Sequence, residues 1–427
     1  MLDIVRAPDP DYPSLRHVYG ATGAPAAIIR PRTTEEVAEA LLFARETGGE
    51  LSIRSGGHGI SSISTNTGGT VIDLGRLNGI ERISDTMVKL GPGAHWGHVA
   101  RELYPWGLSI SSGDSGDVGV GGLGTTGGIG LMGRAHGLTI DRLRSAELVT
   151  ADGAVHRVSA SQEPDLFWAI RGAGANIGIV TSFEFEASTT PVVAQATIAY
   201  QLRDTATFLN RWGALVEQSP REISAFLYIG VGAAPFAQAT VVYASDDADS
   251  ALTALTPFTE LPGMAGQRAQ IVPYAAVPLT TDAPHSGQQR AFTHTGLVDH
   301  LDLDVSHGLG ALLAEGSTQM VQIRSAGGAI NDVPPDATAY AHRHQNFSVT
   351  AIASVDSPRF AAAWEPVHAL TTGMYLSFES GRDPGRIMEA FPPATLSRLR
   401  AIKSEWDPEG VFSQNFDVTR PSSVPTP

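Results

Sequence analysis

Between residues 27 and 190, short apolar runs of strand period alternate with runs of helical period. In Glu35-Glu36-Val37-Ala38-Glu39-Ala40-Leu41-Leu42-Phe43-Ala44 the apolar positions recur at three- and four-residue spacing behind Thr33-Thr34, either of which suits a helix cap. Leu51-Ser52-Ile53-Arg54 alternates and runs straight into glycine, which predicts a strand whose end opens a loop. Thr70–Leu74 and Val88–Leu90 predict further strands, and Trp96–Tyr104 a helix. Glu147–Thr150 and Val155–Ser159 flank Asp152-Gly153, a dipeptide suited to a primed turn, so they predict a hairpin. Ile179–Glu186 alternates strictly and predicts a strand.

From about residue 191 the elements lie further apart. Strands are predicted over Ala196–Leu202, Ala225–Val231, Ala239–Ala244, Gln319–Ile323 and Phe347–Ala353, with helices over 205–217, 249–258 and 358–370. That order predicts an α+β layer structure, an antiparallel sheet with helices on one face. The stretch 262–295 is loosely patterned and carries prolines; it is a candidate active-site loop or an inserted edge, with loop as the blander reading. Leu396–Trp406 forms an amphipathic helical pattern stopped by Pro408 and Gly410.

Composition narrows the functional classes. A chain of 427 residues with 42% apolar content exceeds what one core usually holds, so two domains are expected. No apolar run approaches the roughly 20 residues that cross a bilayer. Met1–Pro13 has no basic start followed by an apolar core, and a cytoplasmic location is the expectation. A net charge of −15 opposes nucleic acid and anionic membranes, which need a clustered cationic footprint, and favours a small-molecule partner. The absence of cysteine excludes disulfides, thiolate metal sites, cysteine nucleophiles and cysteinyl bonds to a cofactor.

The candidate chemistry lies in two glycine-rich stretches, Arg54-Ser55-Gly56-Gly57-His58-Gly59 and Gly119–Gly130. Backbone without Cβ atoms lets successive amide hydrogens converge on a phosphate. Gly119, Gly121 and Gly124 satisfy a G-x-G-x-x-G dinucleotide pattern, with Asp141 downstream. Its helix, however, would contain Gly127, Gly128, Gly130 and Gly133 at about 1 kcal/mol each, so the segment reads as a second loop. Gly113-Asp114-Ser115-Gly116 resembles the nucleophile segment of trypsin-like proteases, but His95 and His136 lack that family's setting and Asp117 breaks G-x-S-x-G. His342-Arg343-His344 would align two imidazoles on a strand, yet no third ligand clusters with them, and no metal is predicted.

Arg54–His58, Gly68–Leu74, Val118–Gly122 with Gly127–Gly130, Gly172–Val180 and Asp407–Asn415 together, in this order, resemble the FAD-linked oxidases of the vanillyl-alcohol oxidase superfamily, berberine-bridge-enzyme branch. The resemblance spans nearly the whole chain. It implies a two-domain PCMH-type FAD-binding fold: 1–190 as the FAD-binding domain, 191–378 as an inserted antiparallel-sheet substrate domain covered by helices, and 379–427 returning to the first. It implies a histidyl bond from His58 to the flavin 8-methyl group. Cofactor contacts are implied for Arg54, Ser55, Gly56, Gly57, Gly59, Ser115, Val118, Gly119, Gly121, Gly122, Gly127, Gly128, Gly130, Gly178, Ile179, Val180 and Asn415. Bicovalent members of the family carry a cysteine where this chain has Ser115, so a single covalent bond is implied.

By the same resemblance Val118 sits over the reactive edge of the flavin, where the family's oxidases tend to carry Val; this favours an oxidase. The family's Tyr-x-Asn-Tyr segment appears as Tyr375-Leu376-Ser377-Phe378, and Phe378 cannot accept a proton. Tyr375, Tyr340, His342 and Glu379 are the remaining candidates for proton handling. The implied activity takes a hydride from an alcohol, amine or activated C–H group of a sugar or secondary metabolite and reduces dioxygen to hydrogen peroxide. The alternative keeps the fold as a dehydrogenase or reductase with poor dioxygen reactivity, using FAD or a deazaflavin that lacks the 8-methyl group. A flavin-binding carrier with a decayed site is a third reading. Fold-level likeness speaks to reaction class, not substrate.

Overall fold

The computed structural model describes residues 2–232, 235–381, 383–413 and 416–419, which leaves Asn415 outside the described residues. Three sheets follow one another along the chain. Strands β1 (Ile4–Val5), β2 (Ala27–Ile29), β3 (Leu51–Arg54) and β4 (Thr70–Asp73) form the first, in the order β1-β2-β4-β3. β2 and β3 both run parallel to β4. The crossover between β2 and β3 is the helix Thr34–Thr47, whose first turn is closed by Thr33 accepting the Glu36 N–H and whose buried stripe is Val37, Ala40, Leu41 and Ala44. Arg54 and Asp73 face each other at the ends of β3 and β4, and Arg54 Nη2 lies 2.7 Å from Asp73 Oδ2. That buried pair ties the two strand ends together under the first glycine loop.

The second sheet comprises β5 (Ile80–Arg82), β6 (Met87–Leu90), β7 (Leu143–Val149), β8 (Val155–Ser159) and β9 (Ile179–Glu186), in the antiparallel order β5-β6-β9-β7-β8. The β7–β8 hairpin turns at Gly153 with φ +84°, as Asp-Gly predicts.

The third sheet holds β10 (Val192–Gln201), β11 (Ile223–Gly230), β12 (Phe236–Tyr243), β13 (Met264–Pro273), β14 (Phe292–Val298), β15 (Met320–Ser325) and β16 (Phe347–Ala353), in the order β13-β10-β12-β11-β15-β16-β14. All its printed pairings are antiparallel. Helices Thr205–Gln218, Ala248–Thr259, Leu303–Glu315 and Pro358–His368 cover one face, where Trp212, Phe258, Leu309 and Trp364 meet Leu227, Ile323 and Val349. Because successive strand residues point to opposite faces, Phe226, Tyr228, Gln322 and Arg324 turn the other way. There Val193, Phe226 and Val242 pack on Ile129, Met132 and Ile140, so this sheet's open face meets the glycine-rich half of the chain.

The helix Pro393–Trp406 returns to the second sheet's core through Leu396, Leu399 and Ile402. Its Lys403 is fully buried, with Nζ donating to Asp407 Oδ2 at 2.6 Å and to the carbonyls of Asn176 and Phe412. None of the described helices is long and apolar enough to cross a membrane.

Three segments depart from expectation. Val120–Thr126, expected as loop, is a short helix. Its glycine cost is offset because Phe185 and Phe183 pack closely on Gly124, 3.3 and 3.6 Å from where a Cβ would sit, and because Ser55 Oγ accepts the Gly121 N–H. Within 262–295 lie β13 and most of β14; β13 is an edge strand exposed for most of its length, so no buried face imprints a period on it. The helix Leu303–Glu315 was not anticipated, since Gly308 and Gly310 dilute its pattern; Asp302 caps it by accepting the Val305 N–H at 2.9 Å.

Candidate active site

A cavity of about 420 Å³ lies where the two glycine-rich segments meet the open face of the third sheet. The segments interlock through bare backbone. A Cβ on Gly119 would fall 2.2 Å from the Gly56 nitrogen, and one on Gly56 2.5 Å from the Gly119 nitrogen. The first loop turns at Gly57 with φ +67°, a conformation that disfavours a side chain. Ser55 hydrogen bonds to the Pro92 carbonyl and receives the Gly121 N–H at 3.2 Å, which pins one loop to the other.

His58 stands on this wall, its ring 4.2 Å from that of Tyr19 and 5.5 Å from that of His285. Burial first, and then His285, push its imidazole down to about 4 against the opposing pull of Asp117 and Asp114, so it is neutral at physiological pH. Its Nδ1 is buried without a hydrogen-bond partner.

The segment after β13 runs across the loop that carries His58. The Leu279 N–H donates to the Asp114 carbonyl at 2.9 Å, Thr281 donates its N–H and hydroxyl to the Asp117 carboxylate, and His285 Nε2 lies 2.8 Å from the Gly56 carbonyl oxygen. A strap from the third sheet's connection thereby links the 114–117 segment to the first glycine loop.

Of the residues singled out from sequence, Ser55, Gly56, Gly57, His58, Gly59, Ser115, Val118, Gly119, Gly121, Gly122, Gly178, Ile179, Val180 and Tyr375 line the cavity. Others stand behind it. Arg54 is held by Asp73; Gly127 packs against Tyr375; Gly130 packs against Ser111 and Ser112. Gly128 donates its N–H to Tyr375 Oη at 2.9 Å. Tyr340 meets Tyr375 edge to face at 6.0 Å, and burial raises its phenol's pKa. Glu379 is buried and paired with Arg386 at 2.7 Å. His342 lies off any strand with Nε2 3.1 Å from the Ala390 carbonyl, while His344 Nε2 is 3.5 Å from Asp299 at the surface.

Burial pushes His342 down to about 4, with the Ala390 carbonyl opposing. Because its folded value lies below the ordinary 6.5, the unfolded chain binds the extra proton first, and stability is lost as pH falls from about 6.5 to about 4. Thermal melts across that window are expected to fall, with a shallower slope for His342→Gln, which cannot ionise.

Sequence reasoning missed a cluster of four residues, of which Asp114, Gln322 and Arg324 line the cavity and Tyr228 stands behind them. Asp114 accepts from Arg324 Nη2 at 2.9 and 3.0 Å, from Gln322 Nε2 at 3.2 Å and from the Tyr228 hydroxyl. Burial opposes ionisation of Asp114, but the Arg324 charge and these hydrogen bonds hold its carboxyl below the usual range. The available signal was the polar alternation of Gln322 and Arg324 on a strand whose intervening residues are apolar.

Buried polar atoms without partners are rare in folded proteins. Here His58 Nδ1, Ser64 Oγ and Ser112 Oγ are all in that state, on residues that line one glycine-walled cavity. A flat, polar, phosphate-bearing group fits such a wall, and the residues present fit FAD.

The comparisons with known proteins agree. Residues 25–159 match the model of an FAD binding domain. The chain is 30% identical to the xylooligosaccharide oxidase of Thermothelomyces thermophilus over 91% of this chain and 86% of that protein. The structure of a xylooligosaccharide oxidase from Myceliophthora thermophila in complex with xylobiose superposes with a TM-score of 0.85 at 26% identity, covering 99% of this chain and 98% of that one. The fold is also that of 6-hydroxy-D-nicotine oxidase from Arthrobacter nicotinovorans, with a TM-score of 0.86 at 23% identity over 98% of both chains. On these grounds the chain belongs to the PCMH-type FAD-linked oxidases of the vanillyl-alcohol oxidase superfamily, among the berberine-bridge-enzyme-like and oligosaccharide-oxidase relatives.

Proposed function

We propose that this enzyme oxidises a hydroxyl-bearing carbon of a small molecule, a carbohydrate or related metabolite, and passes the electrons to dioxygen with release of hydrogen peroxide, its FAD being attached through His58. The observation that carries the reading is His58: a neutral imidazole with an unpartnered, buried Nδ1 on the wall of a glycine-lined cavity. A bound flavin supplies hydride acceptance and electron transfer to the final acceptor. The chain's own residues supply the rest. Ser55, Gly56 and Gly119 provide close backbone approach, and Ser115, which lacks a thiol, leaves His58 as the attachment point. Val118 lines the same cavity and, by family resemblance, borders the reactive edge. Tyr375 accepts the Gly128 N–H at its phenol oxygen, which leaves its own O–H free to bind or relay a substrate proton at the cavity wall.

The sheet layers at 4–186 and 192–353, with Pro393–Trp406 packed back on the former, support reading 1–190 and 379–427 as the cofactor domain and 191–378 as the substrate domain. The relatives named for oligosaccharides favour a sugar hydroxyl. Flavin-loaded protein mixed anaerobically with a panel of oligosaccharides and alcohols is expected to bleach with at least one member. On admission of dioxygen the colour returns and peroxide forms in equal amount. Bleaching that only an artificial acceptor reverses, without peroxide, contradicts the oxidase reading.

A further inference from the structure

Three side chains converge on one carboxylate in the cavity wall. Arg324 Nη2 donates to both oxygens of Asp114, while Gln322 Nε2 and the Tyr228 hydroxyl donate to Oδ2. Oδ2 thus receives three hydrogen bonds and Oδ1 receives one, and a carboxylate oxygen has about two acceptor sites, so the open capacity is on Oδ1. Asp114 is the only acidic residue among the described lining, and its side chain is 23% exposed, against 4% for that of Arg324. The carboxylate is therefore the member of the pair that a ligand meets. The guanidinium, 3.8 Å from the centre of the Phe378 ring and 5.3 Å from that of Phe226, holds it from behind and compensates its charge. An ionised carboxylate accepts and cannot donate, and with its charge already balanced it calls for a hydrogen-bond donor rather than a cation. Gln322 and Arg324 stand on β15, in the segment read as the substrate domain, which puts the cluster on the substrate side.

Resting on the proposed function, we propose that Asp114 is a substrate-binding residue whose Oδ1 receives the hydrogen of a hydroxyl on a neutral, polyhydroxylated ligand. The surroundings agree. Phe378 carries Arg324 over its ring and has the ring of Tyr375 at 5.6 Å, and Tyr375, which accepts the Gly128 N–H, keeps its own O–H to donate. An acceptor and a donor on either side of one apolar ring suit a polyol, in which one hydroxyl gives a hydrogen and another receives one. Asp114 orients the ligand and takes no proton.

The test uses flavin-loaded protein with D-glucose and a set of deoxyfluoro analogues, each with one hydroxyl replaced by fluorine, which keeps the bulk but has no hydrogen to donate. Binding is read by calorimetry and by perturbation of the flavin spectrum, neither of which needs turnover. D-Glucose is expected to bind, and at least one analogue to bind about tenfold or more weakly because it cannot donate to the carboxylate. In Asp114→Asn, where the acceptor is neutral, glucose itself is expected to weaken and its gap to that analogue to shrink to about threefold or less. Asp114→Glu keeps the charge but displaces it by one methylene; it is expected to narrow the gap too, and replaces the Asn variant as the readout if that variant fails to load flavin. A merely structural role for Asp114 would lower the unfolding midpoint of the variant and leave the gap in place. Analogues that all bind like glucose, a gap that survives the substitutions, or no binding of glucose overturns the proposal. Failure of the proposed function shows separately, as absence of peroxide from a protein whose selectivity among the probes is intact.

Discussion

His58→Ala is expected to convert a flavin that stays with acid-precipitated protein into one that is released entirely to the supernatant. The imidazole is the nucleophilic side chain on the cofactor-facing wall that combines a buried, unpartnered nitrogen with a pKa pushed down to about 4. Its lone pair is therefore available at neutral pH rather than occupied by a proton. Ser115 offers no thiol and the chain contains no cysteine, so no second tether compensates for the loss. The glycine segments remain in the variant, and some flavin is expected to bind without a covalent bond. The measurement is flavin absorbance in the pellet and the supernatant after acid treatment, wild type beside variant. Flavin retained in the variant's pellet would place the attachment elsewhere.

Gly119→Ala is expected to damage both stability and cofactor retention. Its Cβ would fall 2.3 Å from Ser55 Oγ and, on backbone that cannot rotate away, 2.2 Å from the Gly56 nitrogen and 2.8 Å from the Gly56 Cα. Overpacking of this kind costs about 1–3 kcal/mol and sometimes more. The strain falls on the contact that holds the two cofactor loops together, so flavin loading should drop along with the unfolding midpoint. Gly79→Ala is the control, since its Cβ would meet nothing within 4 Å, and its midpoint should change little. Thermal melts and flavin-to-protein ratios of the purified variants check both. Equal behaviour of the two variants would mean that the interlock of Gly56 and Gly119 is not what shapes the cavity.

What the chain discloses without coordinates follows from which faces are buried. The Thr34–Thr47 helix buries one stripe behind a cap and the β7–β8 hairpin closes on a dedicated turn, so period, capping and turn chemistry identify them. β13 buries almost nothing and leaves no hydrophobic trace, and in the Leu303–Glu315 helix two glycines interrupt the stripe. The glycine-lined wall of the cavity was legible for a different reason. Close approach of backbone to backbone and backbone to ligand demands glycine, and glycine at Gly56, Gly57 and Gly119 is visible in any sequence. The polar cluster around Asp114 was not. Asp114, Tyr228, Gln322 and Arg324 come from one loop and two strands that meet only when the third sheet turns its open face to the glycine loops. Tyr340, His342 and Glu379, chosen for their chemistry, are tied to packing, a carbonyl and an arginine behind the cavity.

The measurement that tests the account most directly is mass analysis of the tryptic peptide Ser55–Arg76 from purified wild-type protein. The account predicts that this peptide carries the mass of FAD, with the fragment ions placing it on His58. The peptide recovered unmodified, with flavin free in the supernatant or absent from the protein, would contradict it.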